Sequence, residues 1–369
     1  MIINFNNSIE ITIPKFTASR YLKKIKLIRF DKLGVAKDLI EFNTVSIQNI
    51  YQDASAINNN INEYCYQVIG FDVCDFPGDS SIKICNTQNI APSNLDWHTV
   101  TVVNDKEVKL VWYKSKLDST QFWKYGIYKK QDRINPEFTF LSIVSNKSDS
   151  FFIDNSVNVD EYSYCYKVSN IDNCGAESTS NDEACSILLQ GKSKPVQHDL
   201  YWMDYVFWKA GTQKYELSRS DAYNPDWIKV NGLQFKSLEM TDDKLNLDVG
   251  LYYYKVVAFE NPWGNLATSE SNTIELIQEP RVFAPNAYTP NSDGLNDGWI
   301  STHSFVKDFN LKIFNRWGQK IFETNNKYES FKSVINNQQI TSDVFVYLIT
   351  YTGWDSSVRT LKGNFTLLR

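Results

Sequence analysis

The stretch YCYKV at residues 164–168 recurs as YCYQV at residues 64–68 and as YYYKV at residues 252–256. In each copy every second residue is Tyr or Val, which is the period of a β-strand with one buried face. One strand repeated three times at intervals of about a hundred residues predicts three tandem modules, each with its own core.

A second alternating stretch lies about fifty residues before each copy, at Ile9–Ile13, Val108–Trp112 and Leu200–Trp202. A bulky apolar residue on an early strand and a tyrosine opening a late strand are typical of a two-sheet antiparallel sandwich. The three modules resemble immunoglobulin-fold, fibronectin type III-like domains. The predicted fold is all-β, with modules at 1–90, 91–191 and 192–278, and the first module is expected to be truncated at its N-terminus.

Six cysteines repeat in register, because Cys65, Cys74 and Cys85 return as Cys165, Cys174 and Cys185. Since Cys65 and Cys85 fall on the two arms of a predicted hairpin, the favoured pairs are Cys65–Cys85 and Cys165–Cys185. Cys74 and Cys174 are the alternative partners, and six buried thiols or a metal site are the other interpretations. The spacings do not fit a zinc motif, so disulfides and an oxidising compartment are expected.

Residues 279–369 have a different character and predict one more small β-sandwich. They open on PNAYTPNSDGLND at 285–297, continue through the strand 309–313 and the turn NRWG at 315–318, and end on GNFTLLR at 363–369. Two prolines, a glycine and five Asn or Asp residues make the opening a turn-rich segment rather than a helix or an inner strand.

These motifs, in this order, resemble the gliding-motility-associated C-terminal domain, which is the type B sorting domain of the bacterial type IX secretion system. The residues that carry the resemblance are Pro285, Asn286, Thr289, Pro290, Asn291, Asp293, Gly294, Asn296, Asp297, Asn315, Arg316, Trp317, Gly318, Gly363, Leu367 and Arg369. The sequence departs from the family at Tyr288, where Phe is usual, and at Phe331-Lys332-Ser333, where Trp-Asp-Gly is expected. The resemblance implies a non-catalytic domain that partners the secretion machinery at the outer membrane.

The acidic turn at 291–297 has a second interpretation. Asn291, Asp293, Asn296 and Asp297 place oxygen side chains around a glycine, which is a ligand set suited to Ca²⁺. Asp-Gly and Asn-Asp are also ordinary turn formers, so a turn held by side-chain-to-backbone hydrogen bonds is the alternative.

Composition excludes several functions. A formal net charge of −5 and a pI near 5.4 argue against nucleic acid as a partner. No apolar run reaches the roughly 20 residues of a membrane-spanning helix. The sequence also lacks nucleophile-elbow and phosphate-loop motifs, and none of its three histidines lies beside a nucleophile or in a metal-ligand pattern, so no catalytic residue and no required cofactor are predicted.

We therefore expect an exported surface or extracellular protein with a structural or adhesive role. Its ligand would be a surface protein or a polysaccharide, for which Trp123, Trp227 and Trp263 near predicted turns are stacking candidates. The alternative is that they are core residues, as aromatic side chains of strands more often are. The alternative is the non-catalytic C-terminal part of a secreted polysaccharide- or protein-degrading enzyme. Because the segment after Met1 lacks a secretory signal, further sequence is expected upstream.

Overall fold

A computed structural model describes most of the chain, and every regular element in that part is a β-strand. The described residues are 2–5, 9–14, 22–31, 34–43, 48–55, 64–81, 83–85, 92–117, 119, 121–131, 135–173, 176–178, 182–230, 237–332, 334–335, 338–339 and 343–368. Three residues of the sequence predictions, Cys174, Ser333 and Arg369, lie outside them.

The first sandwich, sandwich 1, pairs its strands in the orders β1-β2-β5 and β4-β3-β6-β7, and β8 also pairs with β6. Its strands are β1 Ile2–Phe5, β2 Ile9–Ile13, β3 Leu22–Phe30, β4 Ala36–Phe42, β5 Asn49–Asp53, β6 Cys65–Asp72, β7 Pro77–Ser80 and β8 Ile84–Cys85.

Sandwich 2 repeats this arrangement as β9-β10-β13 and β12-β11-β14-β15. Its strands are β9 Trp97–Val103, β10 Glu107–Trp112, β11 Phe122–Gln131, β12 Asn135–Val144, β13 Phe151–Asp154, β14 Tyr164–Asp172 and β15 Ala184–Cys185.

Sandwich 3 repeats it again as β16-β17-β20 and β19-β18-β21-β22, and β23 also pairs with β21. Its strands are β16 Leu189–Lys194, β17 Gln197–Trp202, β18 Thr212–Asp221, β19 Ile228–Lys229, β20 Glu239–Asp242, β21 Leu251–Glu260, β22 Thr268–Glu270 and β23 Ile274–Ile277. The predicted boundary at 191/192 therefore falls inside β16.

The same sheet order in all three sandwiches confirms the predicted all-β, immunoglobulin-like fold. The repeated tyrosine stretch supplies β6, β14 and β21, and its alternate residues face the core as the period predicts. Tyr66, Tyr166 and Tyr254 are each completely buried, and Trp112 and Trp202 fill the opposite sheet of their sandwiches.

The C-terminal domain is built on one sheet of five strands in the order β25-β32-β31-β27-β28. Its strands are β24 Arg281–Phe283, β25 Ala287–Tyr288, β26 Thr302–Ser304, β27 Asp308–Phe314, β28 Lys320–Thr324, β29 Val334–Ile335, β30 Gln338–Gln339, β31 Val344–Thr352 and β32 Val358–Leu367. Two-stranded pairs, β24 with β26 and β29 with β30, accompany the sheet. Its core is aromatic, and Trp299 stacks on Phe365 with ring centroids 4.3 Å apart.

The chain divides into two compact units. The first comprises Met1–Val100, Lys109–Asp154 and Ser163–Cys185, and so holds most of sandwiches 1 and 2. The second comprises Thr101–Val108, Asn155–Tyr162 and Ser186–Arg369, and so holds sandwich 3 and the C-terminal domain.

Candidate functional site

Three motif segments of the C-terminal domain meet at one end of its five-stranded sheet. β25 runs parallel to β32, with Tyr288 opposite Leu367, so the loop after β25 and the chain after β32 leave at the same end. β31 begins there because it is antiparallel to β32, and β27 finishes there because Phe314 lies opposite Val346. We call this the motif end; it carries the loop 289–297, the turn 315–319, Asp343 and Leu368.

The opening stretch is joined to the last strand by backbone hydrogen bonds. Thr366 N donates to Asn286 O and Leu368 N donates to Tyr288 O, each over 2.9 Å. Trp299 Nε1 donates to Pro285 O over 2.8 Å, which ties the same segment to the aromatic core. The segment 285–288 is thus an integral edge of the sheet.

The loop 291–297 is held by its own side chains. Asp297 accepts backbone hydrogen bonds from Ser292 at 2.6 Å and from Gly294 at 2.9 Å. Asp293 accepts one from Leu295 N at 2.7 Å, and Asn291 Nδ2 donates to the other Asp293 oxygen at 2.8 Å. The Leu295 backbone, and after it the Asn291 side chain, lower the pKa of Asp293.

Most of these contacts are the side-chain-to-backbone hydrogen bonds that are expected if the segment is an ordinary turn rather than a calcium site. Each carboxylate already accepts donors from the loop itself, so a bound Ca²⁺ would have to share or replace them. The calcium site at Asn291, Asp293, Asn296 and Asp297 stays a prediction.

The turn at 315–318 presents a rigid tip. Asn315 Oδ1 accepts hydrogen bonds from Trp317 N at 3.1 Å and Gln319 N at 3.0 Å, and Gly318 has a φ of 79°, a conformation that glycine adopts without strain. The Trp317 side chain is 78% exposed, and the Arg316 guanidinium lies 5.1 Å from its ring centroid. An arginine and a tryptophan therefore project together from a fixed backbone.

Asp343 connects this tip to the final strand. Its Oδ1 accepts from Arg316 Nη2 at 2.9 Å, and its backbone oxygen accepts from Leu367 N at 3.0 Å. The two segments at the motif end are thus held in register by one residue that the sequence analysis did not single out. Sequence spacing offers no signal for it, because the contact depends on strand pairing.

Other motif residues serve the fold. Gly363 lies opposite Tyr347, and a Cβ at Gly363 would collide with the Tyr347 ring. Phe331, which stands where the related domains have Trp, is buried and packs edge-on against Phe345 at 5.4 Å. Of the residues that depart from the family pattern, Phe331 therefore occupies a core position, whereas Lys332 is exposed.

The structure forms both favoured disulfides, Cys65–Cys85 and Cys165–Cys185, across directly opposed residues of paired strands. Cys74 is an exposed free thiol. Within the described residues one group, Cys165, Glu183 and Cys185, has a metal-like spacing, but its two sulfurs are consumed by the disulfide. The alternatives of buried thiols and a metal site are therefore wrong for these four cysteines.

The three candidate sugar-stacking tryptophans differ in accessibility. Lys124 lies 3.8 Å from the ring centroid of Trp123 and Lys255 lies 4.7 Å from that of Trp227, so each ring has one face occupied by a cation. Trp263 follows β21 in a turn and is 94% exposed. It is the most accessible of the three.

Sequence reasoning missed a buried polar cluster that recurs in every sandwich. The last residue of β5, β13 and β20 is a buried aspartate. It accepts a hydrogen bond from a core tyrosine and forms an ion pair with an arginine or lysine of another strand. The three sets are Asp53 with Tyr66 and Arg29, Asp154 with Tyr166 and Lys129, and Asp242 with Tyr254 and Arg219. The nearly constant spacing between the aspartate and the tyrosine, which is 13, 12 and 12 residues in the three sandwiches, was the available signal.

One comparison with known proteins identifies the C-terminal domain. The CHU_C type IX secretion signal domain matches residues 282–367. Curated proteins give no match. No helix in the described residues is both long and apolar enough to span a membrane.

Two solved structures are similar at low identity. The FN1–FN3 domains of chicken CNTN1 are 15% identical over 75% of this chain and 97% of that chain, with a TM-score of 0.22. A tetra-tandem repeat in the extending region of a large adhesion protein is 11% identical over 98% and 96%, with a TM-score of 0.25. The fold assignment rests on sheet order rather than on these likenesses.

A type IX secretion signal implies interaction with the secretion machinery and export to the cell surface or the extracellular space. The motif order, the single sheet that brings the motifs together and the match over residues 282–367 lead to one conclusion: this chain carries a CHU_C type IX secretion signal domain at its C-terminal end.

Proposed function

We propose that this is an exported structural or adhesive protein whose motif end is the surface read by the type IX secretion machinery. The observation that carries the proposal is the exposed pair of Arg316 and Trp317 on a hydrogen-bonded turn. Tryptophan and arginine are the residue types that dominate binding energy at protein interfaces. A preformed turn also reduces the entropy lost on binding.

The proposal divides the sorting motif into two groups. Pro285, Asn286, Gly363 and Leu367 support the sheet through the contacts described above. Arg316, Trp317 and the exposed residues of loop 291–297, including Leu295, provide contact surface. Thr289 N donates to Asn296 O at 3.0 Å and closes the base of that loop.

The experiment uses the full chain behind a secretory signal peptide, in a bacterium with an active type IX system and in its secretion-deficient mutant. We expect surface or extracellular protein in the first host and periplasmic protein in the second. Equal export from both hosts would contradict the proposal.

A second candidate function for the sandwiches is ligand binding at Trp263, favoured by its exposure at the end of β21. Its loop is preorganised, because Glu260 accepts backbone hydrogen bonds from Asn265 at 2.7 Å and from Ala267 at 3.2 Å. An exposed, fixed indole suits stacking on a sugar ring or insertion into a protein pocket.

The test measures binding of the full chain to a panel of cell-surface polysaccharides. Trp263→Ala should abolish binding, whereas the matched variant Trp227→Ala, at a ring partly covered by Lys255, should retain most of it. Equal binding by Trp263→Ala and wild type would exclude this site. A non-catalytic role of the described modules is part of the same proposal.

A further inference from the structure

Phe305 of the C-terminal domain belongs to the core of sandwich 3. It is 1% exposed and clusters with the buried side chains of that sandwich rather than with the aromatic core of its own domain. Its φ of 61° is a conformation that a bulky side chain keeps only where packing holds it. Phe305 N also donates to Leu247 O of sandwich 3 over 2.5 Å. We call this contact region, formed by residues 247–250, 303–305, 327–328 and 354, the joint.

Polar contacts surround the buried Phe305 side chain. Asp248 of sandwich 3 accepts a hydrogen bond from the Tyr328 hydroxyl and forms an ion pair with Lys327 at 2.9 Å. His303 Nε2 lies 3.9 Å from the same carboxylate. Three side chains of the C-terminal domain thus converge on one aspartate.

The surfaces at the joint also match in shape. Trp354 packs against the core of sandwich 3, and a Cβ at Gly250 would collide with its indole. Tyr223 of sandwich 3 meets the Trp354 ring edge-on, with centroids 5.2 Å apart. The glycine is therefore required for the close approach.

The connecting segment between β23 and β24 is short and anchored. Gln278 N donates to Gly250 O at 2.8 Å, and Gln278 Nε2 donates to the backbone oxygens of Lys194 and Gln197, each at 2.9 Å. Pro280 is buried, and a Cβ at Gly353 would collide with it. These contacts anchor the connecting segment, so we expect the C-terminal domain to have little freedom to rotate relative to sandwich 3.

The joint lies at the opposite end of the five-stranded sheet from the motif end. Phe305 precedes β27, and Trp354 lies in the turn between β31 and β32, where Asp308, Thr352 and Val358 are paired. The sheet thus contacts sandwich 3 at one end and exposes Arg316 and Trp317 at the other.

We propose that sandwich 3 is a platform that holds the secretion signal in one orientation, with Phe305 and Asp248 as positioning residues. This inference rests on the proposed function, because it assigns sandwich 3 a part in presenting the signal. It predicts that export requires a closed joint as well as an intact motif end.

The first test is hydrogen exchange of the full chain, and it does not depend on export. The amides of Phe305 and Gln278 should exchange slowly in wild type. Phe305→Ala should accelerate both by on the order of a hundredfold, since a buried phenylalanine is lost, while β31 stays protected. Phe305→Leu should restore most of the protection. Fast exchange of both amides in wild type would overturn the inference.

The second test follows export of the same variants. Phe305→Ala should leave most of the protein in the periplasm and Phe305→Leu should be exported. Gly250→Ala, which forces the joint open without removing an apolar side chain, should behave like Phe305→Ala. Export of both open-joint variants at the wild-type level would overturn the inference and leave the proposed function intact. Failure of wild type to be exported would overturn both.

Discussion

Asp53, Asp154 and Asp242 are carboxylates buried between two sheets, each next to a tyrosine and a cation. Burial alone would raise the pKa of Asp53, but hydrogen bonds from Ser55, Arg29 and Tyr66 outweigh it and lower the pKa below its ordinary value of 3.8. A carboxylate with a lowered folded-state pKa contributes stability above the unfolded-state pKa. That contribution is lost as the pH falls through the folded-state pKa.

Replacing Asp53 tests this assignment. Asp53→Ala leaves Arg29 and Tyr66 without their shared acceptor and should destabilise sandwich 1 by about 3 kcal/mol. Asp38→Ala, which removes an exposed partner of Lys26, should cost less than about 1 kcal/mol. Urea unfolding at pH 7 measures both variants, and equal effects would contradict the assignment.

His198 gives sandwich 3 a pH dependence. The Tyr254 hydroxyl donates to Asp242, so it accepts from His198 Nδ1 at 2.8 Å. Burial lowers the pKa of His198 from 6.5 to about 4. Because the unfolded chain takes up the proton first, stability is retained above pH 6.5 and is lost as the pH falls from 6.5 towards 4.

The shift corresponds to about 3 kcal/mol. We expect the stability difference between wild type and His198→Gln to shrink by about that amount between pH 7 and pH 4. Chemical unfolding across this range measures it. A difference that does not change with pH would show that His198 is not buried in its neutral form.

Individual strands could be predicted from the sequence wherever the signal lay within the strand itself. Alternation located β2, β10 and β27 to within a residue or two, because a half-buried strand must alternate. The register of β6 with β8 explains why Cys65 and Cys85 pair. The buried aspartates were not predicted, because a single Asp at the end of a strand does not show which tyrosine and cation will face it. The parallel pairing of β25 with β32 was not predicted, because these strands are far apart in sequence.

The disulfide of sandwich 1 allows a quantitative check. Its cysteines are separated by 20 residues, and closing such a loop stabilises by about 3 kcal/mol in the chain-entropy estimate. The double variant Cys65→Ser, Cys85→Ser should lose about that much stability, whereas Cys74→Ser should lose almost none. Thermal unfolding of wild type and of both variants measures these effects. Equal melting temperatures for the double variant and wild type would contradict the disulfide between Cys65 and Cys85.

The loop 291–297 supports a further prediction. Since Asp297 bridges two backbone amides, Asp297→Ala should lower the stability of the C-terminal domain by about 1 to 2 kcal/mol. Calcium titration of the full chain, followed by calorimetry, should give no heat if the loop is held by these bonds alone. Binding heat that is lost in Asp297→Ala would instead establish the calcium site.

On the scale of the whole molecule, three copies of one sandwich precede a secretion signal domain. The repeats predicted the three sandwiches, and the resemblance carried by the motifs at 285–369 implied a secretion signal domain after them. The joint could not be predicted, because Phe305 lies in no motif and its partners at 247–250 are about sixty residues away in sequence. The motif residues could be identified from the sequence. Their gathering at one end of a sheet, away from the joint, required the structure.

We propose that the secretion machinery recognises the exposed tip at the motif end. The most direct measurement is the fraction of full-length protein on the cell surface or in the medium of a type IX-competent host, for wild type and for the double variant Arg316→Ala, Trp317→Ala. Because both side chains are exposed and an exposed ion pair such as Arg316–Asp343 contributes less than about 1 kcal/mol, we expect the variant to fold with little change in melting temperature and to remain in the periplasm. A folded variant exported as efficiently as wild type would contradict the claim.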